Sequence, residues 1–94
     1  MKQIVVTLGL VTNNQQAVSP ALVRKHLAQR FQGLSVIWGE GLCQGKWEPC
    51  YTLTIGYESP DERGEIIGKL LSLAQATNQE AVYIAGEGIL PVPA

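Results

Sequence analysis

Ile4-Val5-Val6-Thr7-Leu8-Gly9-Leu10 and Tyr51-Thr52-Leu53-Thr54-Ile55-Gly56-Tyr57 stand 47 positions apart and share one pattern of β-type residues ending near a glycine. The same offset carries Gly39-Glu40-Gly41-Leu42 onto Gly86-Glu87-Gly88-Ile89. Between these markers each half has a Ser-Pro pair, Ser19-Pro20 and Ser59-Pro60, followed by a helical pattern. An internal repeat of this kind makes each half one supersecondary unit. The chain therefore reads as a single domain, 1–94, with half-repeats 1–47 and 48–94 and an apolar, proline-containing tail over 86–94.

Outward from the repeat, the elements follow one by one. Ile4 to Val11 alternates as a strand. Thr12 to Gln16 is a polar loop. Ser19 has the chemistry of an N-cap, Pro20 suits the first helical position, and Val18 with Val23 forms a hydrophobic staple. The first helix is expected to run to about Gln32, to bury Val23, Leu27, the Arg30 stem and Phe31, and to stop at Gly33. Leu34–Gln44 and Trp47–Tyr57 form two strands joined by a Gly45-Lys46 type II′ turn. That register sets Trp38 opposite Leu53 and Val36 opposite Ile55. Ser59-Pro60-Asp61-Glu62 reads as a capping box. The second helix buries Ile66, Ile67, Leu70, Leu71, Ala74 and Thr77, and ends at Asn78-Gln79. Ala81–Ala85 is the last strand. Ile89 to Ala94 reads as extended or polyproline II.

The order βαββαβ implies the α+β, ferredoxin-like sandwich. Its antiparallel sheet has order 4-1-3-2, with both helices on one face. The repeated strands are expected to become central, parallel neighbours, setting Thr7 beside Thr54 and Gly9 beside Gly56. The last strand is ambiguous. Alternation puts Val82 and Ile84 in the core, whereas the 47-residue offset maps Ile84 onto Ile37, on the uncovered face.

Composition narrows the function. Apolar residues make up 46% and charged residues 16%, the latter well below the ~25% of typical soluble domains. So few charges leave part of the surface poorly wetted and point to self-association, a dimer being the expected form. A net charge of −1 without a basic stripe disfavours nucleic acid. The short β-type run after Met1-Lys2 is neither a secretory signal nor a membrane span, so no membrane partner is expected and the expected compartment is the cytoplasm.

The uncovered sheet face is expected to show Val5, Thr7, Gly9, Val11, Thr52, Thr54, Gly56, Ile37, Gly39, Gly41, Cys43 and Cys50, with Glu48 its only charge. A neutral, partly apolar face usually marks an interface; packing against a second copy is the expected reading, beside a ligand lying on the face or a Thr-rich solvated surface. Glycines inside strands mark a close approach by backbone or ligand, and Gly64 with Gly68 on the second helix invites packing by another element. Glu40 and Glu87 follow opposite edge strands, roughly 14 Å apart by strand spacing, too far for a glycosidase-type pair. Neither glycine segment forms a dinucleotide fingerprint. His26, the only histidine, lacks neighbours at ligand spacing, so no metal is expected. Cys43 and Cys50 share a face, where a cross-strand disulfide competes with two free thiols.

Arg30-Phe31-Gln32-Gly33-Leu34-Ser35-Val36, Gly45-Lys46-Trp47 and Asn78-Gln79-Glu80-Ala81-Val82 resemble an R-F-x-G-L-[ST]-V, G-x-W, Q-E-[SA]-V series. That series belongs to small bacterial ferredoxin-like domains of unknown function. The likeness covers residues 30–82. Cys50 stands where that series has serine, and the hairpin is shorter. No activity follows from it. At fold level the chain is also similar to dimeric α/β-barrel proteins and to PII-like and CutA-like trimers.

These readings combine into one expectation, a non-catalytic homo-oligomeric binding or regulatory module that assembles through its open sheet face. Neither cofactor nor catalytic residue is assigned. The alternative is a small-molecule-binding protein or cofactor-independent enzyme, with its pocket between the sheet and a partner subunit or the C-terminal tail. The ligand or interface candidates are Thr7, Gly9, Trp38, Glu40, Tyr51, Thr52, Thr54, Gly56 and Glu87.

Overall fold

Both serine caps act as their chemistry requires. The Ser19 side chain accepts a hydrogen bond from the Leu22 backbone N–H at 3.2 Å and opens α1, Pro20–Arg30. Ser59 accepts from Glu62 N–H at 3.3 Å and opens α2, Pro60–Ala76. Each satisfies a backbone donor that the first helical turn leaves free. The end of α1 differs from expectation. The helix stops at Arg30, because Phe31 is already extended, with φ −124° and ψ 143°, so Gly33 is not its stop. At the end of α2 the Thr77 hydroxyl donates to Leu73 C=O at 3.0 Å, and Asn78 turns the chain with φ 58°, a conformation asparagine tolerates well.

The computed structural model describes residues 1–12 and 16–93; most of the expected polar loop, at 13–15, lies outside them. The strands are β1 (Lys2–Gly9), β2 (Ser35–Cys43), β3 (Lys46–Tyr57), β4 (Ala81–Ile84) and β5 (Gly88–Pro91). They form one antiparallel, five-stranded sheet in the order β2-β3-β1-β4-β5. The expected four-strand sheet is thus extended. Part of the tail read as polyproline II is β5, which pairs with β4 from Ala81 opposite Pro91 to Ile84 opposite Gly88. Gly86 and Gly88, at φ 83° and 97°, allow the reversal that makes this pairing.

One face of the sheet carries the core. Ile4, Val6 and Leu8 of β1, Tyr51, Leu53 and Ile55 of β3, and Val82 and Ile84 of β4 are buried there with Val23, Leu27, Ile66, Leu70 and Leu73 of the helices. Ile84 pairs with Val6, so alternation placed it correctly and the 47-residue offset did not. Leu73, fully buried, belongs to the core, whereas Ile67 and Leu71 only flank it.

The central strands correct the repeat more deeply. β1 and β3 are antiparallel, not parallel, with Lys2 opposite Tyr57 and Gly9 opposite Cys50. Repeat counterparts meet only at Val6 and Leu53, and on either side they diverge. Thr7 faces Thr52, and Thr54 faces Val5. Gly9 and Gly56 sit at opposite ends of the pairing. The side-by-side glycines and the Thr7/Thr54 pair therefore do not exist.

The β2–β3 hairpin also turns one residue earlier than expected. Cys43 pairs with Lys46, so the two-residue turn is Gln44-Gly45, with φ 51° and 78°. Two positive φ values make a type I′ turn, which matches strand twist but strains a non-glycine at its first position. The shift sets Val36 opposite Leu53 and Trp38 opposite Tyr51. It moves partners by two residues, so every side chain keeps its expected face. Gln44→Asn is expected to raise stability by roughly 0.5 kcal/mol, since asparagine visits this conformation more readily. A urea titration of the two proteins reads the difference directly.

Candidate functional site

The sheet is wider than the pair of helices covering it. β2 lies at one edge, and its core-side residues Val36, Trp38 and Leu42 remain 38%, 56% and 61% exposed. Between this overhang and the end of α1 lies a cleft of about 780 Å³, lined by Arg24, Leu27, Phe31, Leu34, Trp38 and Tyr51 among others. It opens where α1 stops early: Phe31 is extended, and residues 31–34, which all line the cleft, carry the chain from the helix to β2. This volume is in the range of small-molecule sites.

Aromatic rings furnish the walls. Trp38 and Tyr51, direct cross-strand partners, meet edge to face with centroids 5.6 Å apart and planes at 79°. Tyr51 is 4% exposed and anchors the pair in the core, whereas Trp38 shows its face to the cleft rim. Phe31 forms the opposite boundary. Its ring already receives a cation, the Lys69 ammonium at 5.4 Å from the centroid, and it separates the main cleft from a second one of about 560 Å³ that Glu62, Glu65 and Lys69 line. Arg24 supplies a guanidinium to the main cleft. Such a site can stack a flat heteroaromatic ring and steady a cation against π faces.

The sequence candidates divide. Trp38 and Tyr51 come together in the cleft, and Glu40 follows on the same face of β2, opposite Pro49. Thr7 and Thr52 are paired on the other, uncovered face, with Thr54 diagonal to them. Gly9 is approached closely, but by the chain itself, since the Gln79 side-chain amide donates to its carbonyl. Gly56 lies under the Met1 side chain. Glu87 sits in the β4–β5 turn at the far side of the sheet and is engaged by Arg63. Nothing in the described chain packs on Gly64 or Gly68. Phe31, Leu34 and Arg24 were missed as site residues. Phe31 had been assigned wholly to the core, and the Phe-x-Gly-Leu sequence after the helix was the available signal.

Electrostatics and register settle the cysteines. Cys50 pairs with Gly39 and Cys43 with Lys46, four residues along the same strand, so the two thiols stand too far apart for a bridge. Burial pushes the Cys50 thiol up, and the nearby Glu40 charge adds to this. A raised thiol binds its proton more tightly in the folded chain, so folding stability falls as pH rises past the ordinary thiol range. An alkaline loss of stability above about pH 8.5 is expected, and Cys50→Ala should reduce it. Thiol-alkylation kinetics should show exposed Cys43 reacting well before Cys50. Among the described residues no cluster of His, Cys, Asp and Glu could hold a metal ion, and no helix is long and apolar enough to cross a membrane.

Neither a scan against protein-family models nor a search of curated proteins finds a match to this chain. Solved structures do match. A phage SAM lyase in its apo state is 18% identical, with TM-score 0.67 over 87% of this chain and 75% of that one. A phage SAM lyase in complex with S-methyl-5′-thioadenosine is 17% identical, with TM-score 0.63 over 98% of this chain and 88% of that one. At such identity the likeness establishes a shared fold. It also corrects the expectation of a non-catalytic module, because the structures that share the fold are those of an enzyme. That expectation had rested on finding neither an acid/base pair nor a nucleophile in the sequence.

Proposed function

We propose that this chain is a small-molecule enzyme that takes an S-adenosyl sulfonium substrate into the Arg24–Phe31–Trp38–Tyr51 cleft and releases S-methyl-5′-thioadenosine. The observation that carries the reading is the aromatic cleft of about 780 Å³, on a fold shared over nearly the full chain with a lyase bound to that thioether. The two helices with strands β1 to β4 are read here as a ferredoxin-like βαββαβ unit to which β5 is added. The partner expected from the low charge, another copy of the chain, stays part of this reading. Two free thiols fit a reducing cytoplasm.

The chemistry suits so sparse a site. Releasing the thioether breaks the bond from the sulfonium sulfur to the γ-carbon of the aminobutyrate arm. Sulfur keeps both bonding electrons and leaves neutral, so no general acid has to protonate it. The electron pair that replaces them comes from within the substrate: its own carboxylate oxygen attacks the γ-carbon, the C–O bond forms as the C–S bond breaks, and the arm leaves as a lactone. Positive charge on sulfur fades as the bond breaks, and an environment less polar than water favours that loss of charge. The protein's contribution is then to stack the adenine, exclude water and hold the arm in a reactive conformation. Trp38, Tyr51 and Phe31 provide the apolar walls, and Arg24 provides a counter-charge for the substrate carboxylate.

The test is chromatography of S-adenosylmethionine incubated with the purified protein. Release of methylthioadenosine above the spontaneous rate is expected. No release, together with no thermal shift by methylthioadenosine, would sink the reading.

A further inference from the structure

The two free edges of the sheet are built differently. β5 is four residues long and ends at Pro91, with Pro93 close behind. Short length and proline are the ordinary protections of an edge strand against pairing. β2 has none of these. It runs nine residues, Ser35 to Cys43, with no proline and no lysine, and Glu40 is its only charge. Among the described residues it pairs on one side only, with β3, so every second backbone N–H and C=O along its other side has no strand partner there. Four of its side chains are large, apolar and exposed on both faces, namely Val36, Ile37, Trp38 and Leu42 at 38%, 64%, 56% and 61%.

We propose that the β2 edge is a self-association surface, onto which an edge strand of another copy of this chain adds and continues the sheet. The argument does not depend on the reaction proposed above. Area supports it. Those four side chains expose on the order of 450 Å² of apolar surface, close to the apolar share of the ~800 Å² that each partner contributes to a stable interface. Charge supports a copy rather than a charged partner. Ser35–Cys43 offers one carboxylate to read, and any antiparallel self-pairing not centred on Glu40 keeps the two carboxylates from facing each other. The open face is the weaker candidate. Its exposed apolar residues, Ile37 on one side and Tyr83 and Ile89 on the other, are divided by the half-buried hydroxyl pair Thr52/Thr7 that stands between them.

The test combines light scattering with hydrogen exchange on the intact chain. An assembly whose mass is a multiple of the 10.2 kDa chain is expected. On concentration, amides of the 35–43 peptide should become at least ten-fold more protected, with the β5 peptide protected as well if it is the strand that adds. Leu42→Lys, at an exposed position outside the core, should keep the circular dichroism of the folded chain yet weaken assembly at least ten-fold. A chain that stays monomeric overturns the proposal. So does an assembly in which the β2 amides exchange as fast as in the dilute protein, or one that Leu42→Lys leaves intact; either result points to sheet-face stacking.

Discussion

Leu53→Ala is expected to lower the free energy of unfolding by roughly 3–5 kcal/mol. Leu53 is fully buried on β3 and is the direct partner of Val6, itself fully buried, on β1. It also faces Val36 across β2, so it stands on the strand that joins the helix-covered core to the overhanging edge. Truncation loses the transfer energy of the removed carbons and leaves a cavity between two rigid neighbours that cannot close on it. A chain of this size holds only about 5–15 kcal/mol in total, so the variant should lose a fifth or more of its stability. Urea unfolding monitored by tryptophan fluorescence gives the number. A loss below about 1 kcal/mol would mean that the centre of the sheet is not packed as described.

Trp38→Ala has its largest effect on binding and a smaller one on stability. The indole is 56% exposed, and its edge-to-face contact with Tyr51 contributes about 0.5–1.5 kcal/mol to the fold. The thermal midpoint should therefore move by roughly 2–12 °C. In the proposed function, however, the same ring is the wall of the cleft that would stack an adenine and present a π face to a sulfonium. Removing it should weaken methylthioadenosine binding by about 2 kcal/mol, some 30-fold in Kd. Calorimetric titration beside a thermal melt separates the effects. Unchanged affinity in a folded variant would move the site away from this cleft. Phe31→Ala at the opposite wall is the companion measurement, with a larger stability cost because Phe31 also packs against the core.

Trp38 and Tyr51 were legible as candidates only as members of a set of polar groups, with Glu40, Glu87, Thr7 and Thr54, that could converge in a cavity. Their meeting was not legible. It depends on a turn at Gln44-Gly45 in place of Gly45-Lys46, and a glycine flanked by polar residues is compatible with either turn. The cleft itself was invisible for a similar reason. It opens where α1 stops, at Arg30, and Phe31 takes an extended conformation where helical periodicity would have carried it inward. Gly9, singled out for approach by another backbone or a ligand, instead takes a hydrogen bond on its carbonyl from the side chain of Gln79, seventy residues away.

Local chemistry and alternation were enough to determine the two serine-capped helices, the faces of β1 to β3, and the core that Val6, Leu53 and Leu70 share; the face of β4, with Ile84, was settled only by its pairing with β1. The former depend on interactions between residues close in sequence, or on the separation of apolar from polar side chains, and both are written in the order of residues. The tertiary structure alone decided which strands run antiparallel, which residues of the two halves meet, that the tail becomes β5, and that the sheet outgrows its helices. Each is set by packing between distant segments, where a two-residue shift keeps every side chain on its face and leaves no mark on the pattern. The recurring Thr-x-Gly motif illustrates the difference. Its spacing was correct, yet antiparallel pairing carried its two copies apart and left the aromatic pair at the β2 edge as the better candidate site.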